Sequence, residues 1–253
     1  MNALEPILAA TRAEVERRRG QPLPSRDGEL RDFRAALRRP GVALIAEHKR
    51  RSPSAGAIRE DLALEQVIRA YERGGASAIS VLTEAPSFGG SLRDLRAARA
   101  ATALPILRKD FIVDPYQVQE SFTAGADAIL LIVAAVEDRV LAELHGQAAE
   151  LGLASLVEVH DERELERALA VGVELVGINN RDLTTLEVDV ERTFELRERI
   201  PQGVTVVAES GFSDRGQIER LAAAGVDAVL IGEALMRAVD IEAAVRGLTA
   251  PTM

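Results

Sequence analysis

The sequence predicts an α/β fold, a (β/α)8 TIM barrel with an N-terminal helical extension, from three observations. Eight short apolar runs recur along the chain, and such runs are typical of parallel strands covered on both faces. Helical patterns such as LALEQVIRAYERGG and DRGQIERLAAAG lie between the runs. Several strand entries repeat one form, as in GGASAISVL and AGVDAVLIG, where Gly follows a helix end. Eight strand–helix units in 253 residues indicate a closed parallel barrel.

The strands follow in order from the apolar runs, most of which are too short for helices and are rich in Val, Ile and Leu. The predicted strands are Val42–Ala46, Ala78–Leu82, Pro105–Leu107, Ala128–Val133, Ala154–Val159, Leu175–Ile178, Val204–Ala208 and Ala228–Ile231. An open, doubly wound sheet is the alternative. It is disfavoured because no GxGxxG motif follows an early strand.

The first 41 residues precede the first predicted strand. They contain two further helical patterns, Glu5–Arg19 and Leu30–Arg38, on either side of the breaker QPLPSRDG. We expect residues 1–253 to form one domain, with 1–41 packed on the barrel as an N-terminal helical extension. The sequence leaves open whether this extension acts as a lid over one mouth.

The composition excludes several classes of function. A net charge of −9 and a pI of about 5.1 argue against a nucleic-acid-binding face and against an anionic membrane surface. Because the chain has no Cys, it forms neither disulfides nor thiolate metal sites. No run approaches the length of a membrane span, and the N-terminus does not resemble a signal peptide. We therefore expect a cytoplasmic protein.

Two lysines, Lys49 and Lys109, stand out among thirty-one basic residues, because all the others are arginine. A lysine ammonium can be tuned towards neutral pH and can exchange a proton, whereas a guanidinium stays charged. Both lysines follow apolar runs, at the C-terminal strand ends where these barrels carry their active sites. This shared position favours proton transfer over the alternative that they are remnants of an arginine-rich composition.

Other polar residues follow the same strand ends. Glu47 lies two residues before Lys49, so both side chains face the same way on a strand. The remaining polar residues at these ends include Glu158, Asn179, Arg181, Glu209, Ser210 and Glu233. We expect them to meet Lys109 at one mouth of the barrel.

Two Gly-containing turns, SGFSD and IGEAL, follow the seventh and eighth strands. In these barrels the turns after strands seven and eight frequently bind phosphate through backbone N–H groups and a short helix N-terminus. Gly211 and Gly232 are the glycines of these turns, and Ser52, after the first strand, offers a hydroxyl nearby. The sequence predicts a phosphate site here.

The three histidines do not indicate a metal site. His48 lies between Glu47 and Lys49 and therefore points towards the helices, His145 lies within a helical pattern, and His160 follows the fifth strand. The chain contains neither an HxH nor an HExxH motif. We predict no metal.

A mouth with two ammonium groups and the carboxylates of Glu47, Glu158 and Glu209 favours general acid–base catalysis and electrostatic stabilisation. A lysine held charged among carboxylates acts as an acid. A lysine in a dry pocket has a lowered pKa and forms Schiff bases instead. The residues alone leave both modes open.

The motifs IAEHKRRSPS, PILRKDFIVDPYQ, LVEVHD, GINNRDL, AESGFSD and LIGEALM occur in this order. Together they resemble the indole-3-glycerol phosphate synthase family of tryptophan biosynthesis, over nearly the whole chain. The resemblance implies that 1-(2-carboxyphenylamino)-1-deoxyribulose 5-phosphate undergoes ring closure, decarboxylation and dehydration to indole-3-glycerol phosphate, without a cofactor.

The resemblance also implies residue roles. Lys109 would protonate the ribulose carbonyl, Glu158 would act in the dehydration, and Lys49 would meet the substrate carboxylate and share in the proton chemistry. Further implied site residues are Glu47, which orients the lysines; Asn179 and Ser210, which hydrogen-bond the reacting part; Arg181, which holds the carboxylate; Glu209 in the substrate site; Ser52, Gly211, Gly232 and Glu233 at the phosphate; and Phe88 and Phe111 in the aromatic pocket.

The implied partner is a phosphorylated small molecule, and we expect a monomer, with a dimer as the alternative. Glu233 stands where some family members have Ser, and we expect its carboxylate to point away from the phosphate. Two other functions are considered. One is another phosphate-binding barrel enzyme, similar to phosphoribosylanthranilate isomerase, and the other is a non-catalytic barrel that binds a phosphorylated ligand.

Overall fold

The structure, a computed structural model, describes residues 4–53 and 55–249. Its parallel strands form a closed barrel in which each strand pairs with the next along the chain and the last pairs with the first. The strands are β1 Ala43–His48, β2 Ala78–Leu82, β3 Ile106–Lys109, β4 Ala128–Ile132, β5 Ala154–Val159, β6 Leu175–Asn179, β7 Thr205–Glu209 and β8 Ala228–Ile231. The predicted (β/α)8 barrel is confirmed, with strand ends that differ by a residue or two.

Two helices precede the strands, and the others follow them and surround the barrel. They are α1 Leu4–Arg18, α2 Phe33–Leu37, α3 Leu64–Gly74, α4 Leu92–Ala101, α5 Pro115–Thr123, α6 Asp138–Glu150, α7 Glu162–Ala170, α8 Glu191–Arg197, α9 Arg215–Ala223, α10 Glu233–Arg237 and α11 Ile241–Thr249. Several begin at a side chain that accepts a hydrogen bond from the first-turn backbone, as Asp161 does for α7 and Asp214 for α9. A short hairpin, Arg51–Ser52 with Gly56–Ala57, lies in the loop after β1.

Side chains alternate along each strand between the barrel interior and the helices. Leu107, Leu130 and Leu156 pack inside the barrel, where they form one apolar cluster. On β3 this alternation sends Lys109 inwards and Arg108 outwards. Arg108 is almost fully buried against α5, where its guanidinium donates to Glu120 at 3.0 Å.

The second helix of the extension closes the N-terminal end of the barrel. Phe33 and Leu37 of α2 are buried in the same cluster as the interior side chains. The helix is shorter than the predicted Leu30–Arg38. Asp32 caps its first turn, and the backbone N–H of Arg31 donates to Asp127 instead of continuing the helix.

Asp127, buried just before β4, fixes the segment between the two helices. Its carboxylate accepts from Arg26 at 2.8 Å, from Arg99 at 2.7 Å and from the backbone N–H groups of Arg31 and Ile106. A fully paired buried carboxylate of this kind is costly to disrupt. The segment is therefore clamped to the base of the barrel.

The first helix of the extension lies at the opposite end. Leu4 and Leu8 of α1 pack in the interior cluster, while Arg18 pairs with Glu120 at 3.5 Å and Arg19 pairs with Asp114. The extension therefore contacts both ends of the barrel. Separately, no helix among the described residues has the length and apolar character of a membrane span.

Candidate functional site

A cavity of about 470 Å³ opens at the C-terminal ends of the strands. The predicted site residues all line it: Glu47, Lys49, Ser52, Phe88, Lys109, Phe111, Glu158, Asn179, Arg181, Glu209, Ser210, Gly211, Gly232 and Glu233. The structure thus brings together residues from strands all round the barrel and from the loops that follow them. Leu4 and Ile7 of α1 also line the cavity, so the extension covers part of this mouth.

Lys109, at the end of β3, lies at the centre of the charge network. Its Nζ donates to Oε2 of Glu158 and to Oε2 of Glu209, both at 2.8 Å. Burial alone would lower the pKa of Lys109, but the attraction of Glu158 and Glu209 outweighs burial and raises it above its ordinary value. The ammonium therefore stays charged at neutral pH.

The two carboxylates beside Lys109 differ in their protonation. Burial alone would raise the pKa of Glu158, but the attraction of Lys109 outweighs burial and depresses it. Burial raises the pKa of Glu209 and prevails over the opposing attraction of Lys109, with a further rise from Glu158. Its Oε1 is buried without a hydrogen-bond partner among the described residues. Of the two carboxylates, Glu209 is therefore the one that more readily holds a proton.

Lys49, just beyond β1, forms a second charged pair at the rim of the same cavity. Its Nζ lies 3.0 Å from Oε1 of Glu47, whose side chain is buried. Gly232 leaves room for this carboxylate, since a Cβ at that position would lie 2.5 Å from Glu47 Oε1. Gly232 therefore leaves room for the Lys49–Glu47 ion pair and also forms the turn after β8.

Asn179 is the last residue of β6, and Ser210 directly follows β7. The two side chains are hydrogen-bonded to each other. The Ser210 hydroxyl donates to Asn179 Oδ1 at 2.9 Å, and the backbone N–H of Arg181 donates to the same oxygen at 3.0 Å. Ser210 has a φ of 65°, a left-handed conformation that L-residues seldom adopt. The turn aims its hydroxyl into the cavity despite this backbone cost of about 1 kcal/mol.

Arg181 is held at the rim by its own loop. Its Nη1 donates to the carbonyl oxygen of Leu186 at 2.8 Å, and its backbone pairs with Val188 in an isolated bridge. Val188 in turn packs against Gly211, where a Cβ would lie 2.8 Å from a Val188 methyl group. The loop after β6 therefore fixes both a guanidinium and one of the Gly-containing turns.

The predicted phosphate site is formed by the turns after β7 and β8. Gly211 has a φ of 90°, which favours glycine, and Gly232 precedes the short helix α10. The Glu233 carboxylate accepts from Arg237 Nε at 3.0 Å, one turn along the same helix. This pairing gives the Glu233 carboxylate a positive partner one turn along α10.

The aromatic side chains lie on the opposite wall. Phe111 is almost fully buried, and its backbone N–H is fixed by Asp110 Oδ1 at 2.9 Å. The backbone N–H of Phe88 donates to Glu84 Oε2 at 2.9 Å. Two acidic side chains thus hold the loops that present the rings.

Further functional candidates, which the strand-end pattern does not indicate, lie in or beside the cavity. Leu4, Ile7 and Arg237 line it because of the fold of α1 and α10. His160 contacts Glu158, and its position two residues after Glu158 is the available signal in the sequence.

His48, predicted to face the helices, is buried beside Arg50 and Asp94 of α4. Among the described residues, no group of three or more His, Cys, Asp or Glu side chains is arranged to hold a metal.

Comparisons with solved structures show the barrel fold at low sequence identity. A thiamine phosphate pyrophosphorylase from Pyrococcus furiosus aligns with a TM-score of 0.62 and 19% identity, covering 84% of this chain and 95% of that one. A 3-hexulose-6-phosphate synthase aligns with a TM-score of 0.63 and 16% identity, covering 82% and 98%. These likenesses concern the fold alone.

Sequence comparisons identify the family. The profile described as indole-3-glycerol phosphate synthase matches residues 4–248. Indole-3-glycerol phosphate synthase 2 of Streptomyces coelicolor is 48% identical, covering 96% of this chain and 98% of that protein. The indole-3-glycerol phosphate synthase of a Nocardioides species is 47% identical, covering 98% of each chain. These matches set aside both alternative functions, and the chain belongs to the indole-3-glycerol phosphate synthase family.

Proposed function

We propose that this mouth closes, decarboxylates and dehydrates 1-(2-carboxyphenylamino)-1-deoxyribulose 5-phosphate to indole-3-glycerol phosphate, the carboxy-lyase reaction of the family in tryptophan biosynthesis. The observation that carries the assignment of roles is the Lys109 ammonium, which contacts Glu158 and Glu209 at 2.8 Å in a cavity at the strand ends. It is a buried, charged proton donor with carboxylates on both sides.

Ring closure is the step assigned to Lys109. When the aromatic carbon attacks the ribulose ketone, the carbonyl oxygen becomes an alkoxide, which is a stronger base than a lysine amine and takes the proton. The positive charge that develops on the ring system is stabilised by the adjacent carboxylates. The raised pKa of Lys109 supports this acid role over Schiff-base chemistry, because a Schiff base requires a neutral amine.

We assign decarboxylation to the side chains at the rim of the cavity. The substrate carboxylate would be held by Lys49 and the fork of Arg181, which suits a bidentate contact. Loss of CO2 restores the aromatic ring. The step therefore chiefly needs the substrate carboxylate to be held in place and water to be excluded around it. Phe88, Phe111 and the α1 side chain of Leu4 supply apolar walls around this position.

Dehydration is assigned to Glu158. After CO2 has left, a hydroxyl departs and a proton is removed to complete the pyrrole ring, which requires a base and an acid in reach of one another. Lys109, which is neutral after ring closure, takes up a proton from solvent before this step. Glu158 is ionised and only 2.8 Å from Lys109, so the pair then offers both functions. Asn179 and Ser210, joined at 2.9 Å, would hydrogen-bond the reacting hydroxyl groups.

The direct test is to add the ribulose phosphate to the purified protein and to monitor indole fluorescence. The chain has no Trp, so the protein background is low. We expect fluorescence to rise together with stoichiometric release of CO2. CO2 release without indole, or neither product, would contradict the assignment. Cytoplasmic location and the monomeric state, with a dimer as the alternative, stay predictions.

The phosphate site makes a separate prediction. Inorganic phosphate should inhibit competitively with substrate, because it occupies the turns at Gly211 and Gly232 that receive the substrate phosphate. Ser52→Ala should raise the inhibition constant by about three- to tenfold, as one lost hydrogen bond to a charged group weakens binding by roughly 1 kcal/mol or more. Initial rates at several phosphate concentrations provide the measurement.

Ser77→Ala is the matched control for Ser52→Ala, because Ser77 precedes β2 at the opposite end of the barrel. Its inhibition constant should stay unchanged. A purely non-competitive pattern with the unaltered protein would place inorganic phosphate elsewhere and would count against this site.

A further inference from the structure

His160 follows β5 directly and lies between two carboxylates. Its Nδ1 is 2.9 Å from Oε2 of Glu164, and its Nε2 is 3.4 Å from Oε1 of Glu158. Its backbone N–H donates to the same Glu164 oxygen at 2.8 Å. The ring is mostly buried, with 11% of the side chain exposed. The 3.4 Å contact is longer than a strong hydrogen bond, so it acts mainly as an ion contact.

This arrangement selects one protonation state. A neutral imidazole carries a lone pair on one ring nitrogen, and here that lone pair would face a carboxylate oxygen. An imidazolium carries a proton on both nitrogens and avoids the repulsion. Its Nδ1 donates to Glu164, while its Nε2 has no hydrogen-bond partner among the described residues and faces Glu158 as an ion contact. Burial alone would lower the pKa of His160, but the hydrogen-bonding and charge of Glu158 and Glu164 outweigh burial and raise it to about 10.

Glu164 is itself well placed to anchor the ring. It lies in the first turn of α7, and its backbone N–H donates to the helix cap Asp161 at 2.8 Å. The charged groups that face the His160 ring are therefore Glu158 from β5 and Glu164 from α7, with Lys109 of β3 on the far side of Glu158. A rigid helix start thus fixes the histidine.

Glu158 consequently has a cation at each oxygen. Oε2 contacts the Lys109 ammonium at 2.8 Å, and Oε1 faces His160. When Lys109 gives its proton to the substrate it becomes neutral, and Glu158 loses the stronger of its two partners. His160 takes no part in that transfer and keeps its charge. It therefore remains the counter-charge of Glu158 until Lys109 takes up a proton again before dehydration.

We propose that His160 is a positioning residue that keeps the Glu158 carboxylate ionised and oriented for dehydration while Lys109 is deprotonated. The proposal rests on the function proposed above for Glu158. It assigns to His160 no contact with substrate, and its action passes entirely through the carboxylate.

The kinetic test compares His160→Gln with the unaltered protein. Glutamine keeps a donor and removes the charge, so Glu158 should take up a proton more readily. The acidic limb of the kcat profile, where activity falls as Glu158 is protonated, should move to higher pH by about one unit. The value of kcat should then fall about tenfold on the acidic side of the limb and stay unchanged on its plateau, with KM little changed. Glu164→Gln should shift the limb in the same direction by less.

His145→Gln is the matched control, since His145 lies within α6, away from the cavity. It should leave the profile unchanged. If His160→Gln lowers kcat equally at every pH, the histidine is only structural and the proposal is overturned.

A second measurement does not depend on activity. Nitrogen NMR of the histidine rings should show His160 doubly protonated at pH 8, with the signals assigned by their loss in His160→Gln and His145→Gln. In Glu158→Gln the same ring should lose its charge at lower pH. A neutral His160 at pH 8 in the unaltered protein would overturn the proposal. If Glu158 instead proves unnecessary for turnover, the NMR result would stand while the kinetic shift vanished, so failure of the proposed function is distinguishable.

Discussion

Lys109→Arg should fold normally and lose nearly all turnover. Arginine keeps the positive charge between Glu158 and Glu209, so the buried carboxylates stay compensated. A guanidinium does not release its proton in a protein, so the developing alkoxide receives none. We expect kcat to fall by about 10²- to 10⁴-fold, the usual contribution of a general acid. Steady-state rates and a thermal unfolding curve are the measurements.

Lys49→Arg is the matched control, because Lys49 is the only other lysine of the chain and lies in the same cavity. If its main task is to hold the substrate carboxylate, arginine substitutes in part, and kcat should fall much less than in Lys109→Arg. Near-normal kcat in Lys109→Arg would remove Lys109 from the acid role. A larger loss in Lys49→Arg would exchange the roles of the two lysines.

Glu158→Gln should block the reaction after CO2 has been released. The amide keeps the size of the side chain and its contact with Lys109 but cannot accept a proton, so dehydration lacks its base. We expect indole formation to fall by about 10²- to 10⁴-fold. In a single turnover, labelled CO2 should appear well before indole fluorescence, because ring closure and decarboxylation still have Lys109 and the rim residues.

Glu209→Gln provides the comparison for that experiment. Burial raises the pKa of Glu209, so an amide imitates the form that this side chain readily adopts. Its loss of turnover should be markedly smaller than that of Glu158→Gln. Equal losses in both variants, with CO2 and indole delayed together, would show that Glu158 does not act specifically in dehydration.

The barrel can be predicted because the sequence pattern of each strand lies within a few neighbouring residues. Each strand is a short apolar run, and parallel strands in this fold present their C-terminal ends at one mouth. From that rule alone, Lys109 and Glu158 are expected to meet although 49 positions separate them. The alternation of side chains along β1 likewise predicts that His48 faces the helix layer, where it is buried.

The division of charge within the site cannot be predicted in the same way. Which carboxylate beside Lys109 holds a proton depends on burial and on distances between β3, β5 and β7, and none of these follows from spacing along the chain. His160 illustrates the limit. Its neighbour Glu158 is indicated by its strand position, but the ion contact depends on Glu164, which is brought round by the first turn of α7.

The extension shows a second limit, since periodicity indicates its helices but not where they pack. The clamp at Asp127 is built from Arg26, Arg31 and Arg99, whose pairing requires the folded barrel. Periodicity assigns Leu30 to a helix, whereas the chain is drawn to Asp127 one residue later. Long-range ion pairs of this kind leave no periodic signal in a sequence.

The Asp127 clamp also divides the extension into two parts that differ in the free energy needed to detach them from the barrel. Lifting α1 from the mouth exposes a few apolar side chains, such as Leu4 and Leu8, and breaks ion pairs that are partly exposed to solvent. Removing α2 would uncover the barrel interior around Phe33 and Leu37. The free energy of opening therefore rises steeply across the clamp. We therefore expect α1 to open locally, and the base of the barrel to exchange with solvent only on global unfolding.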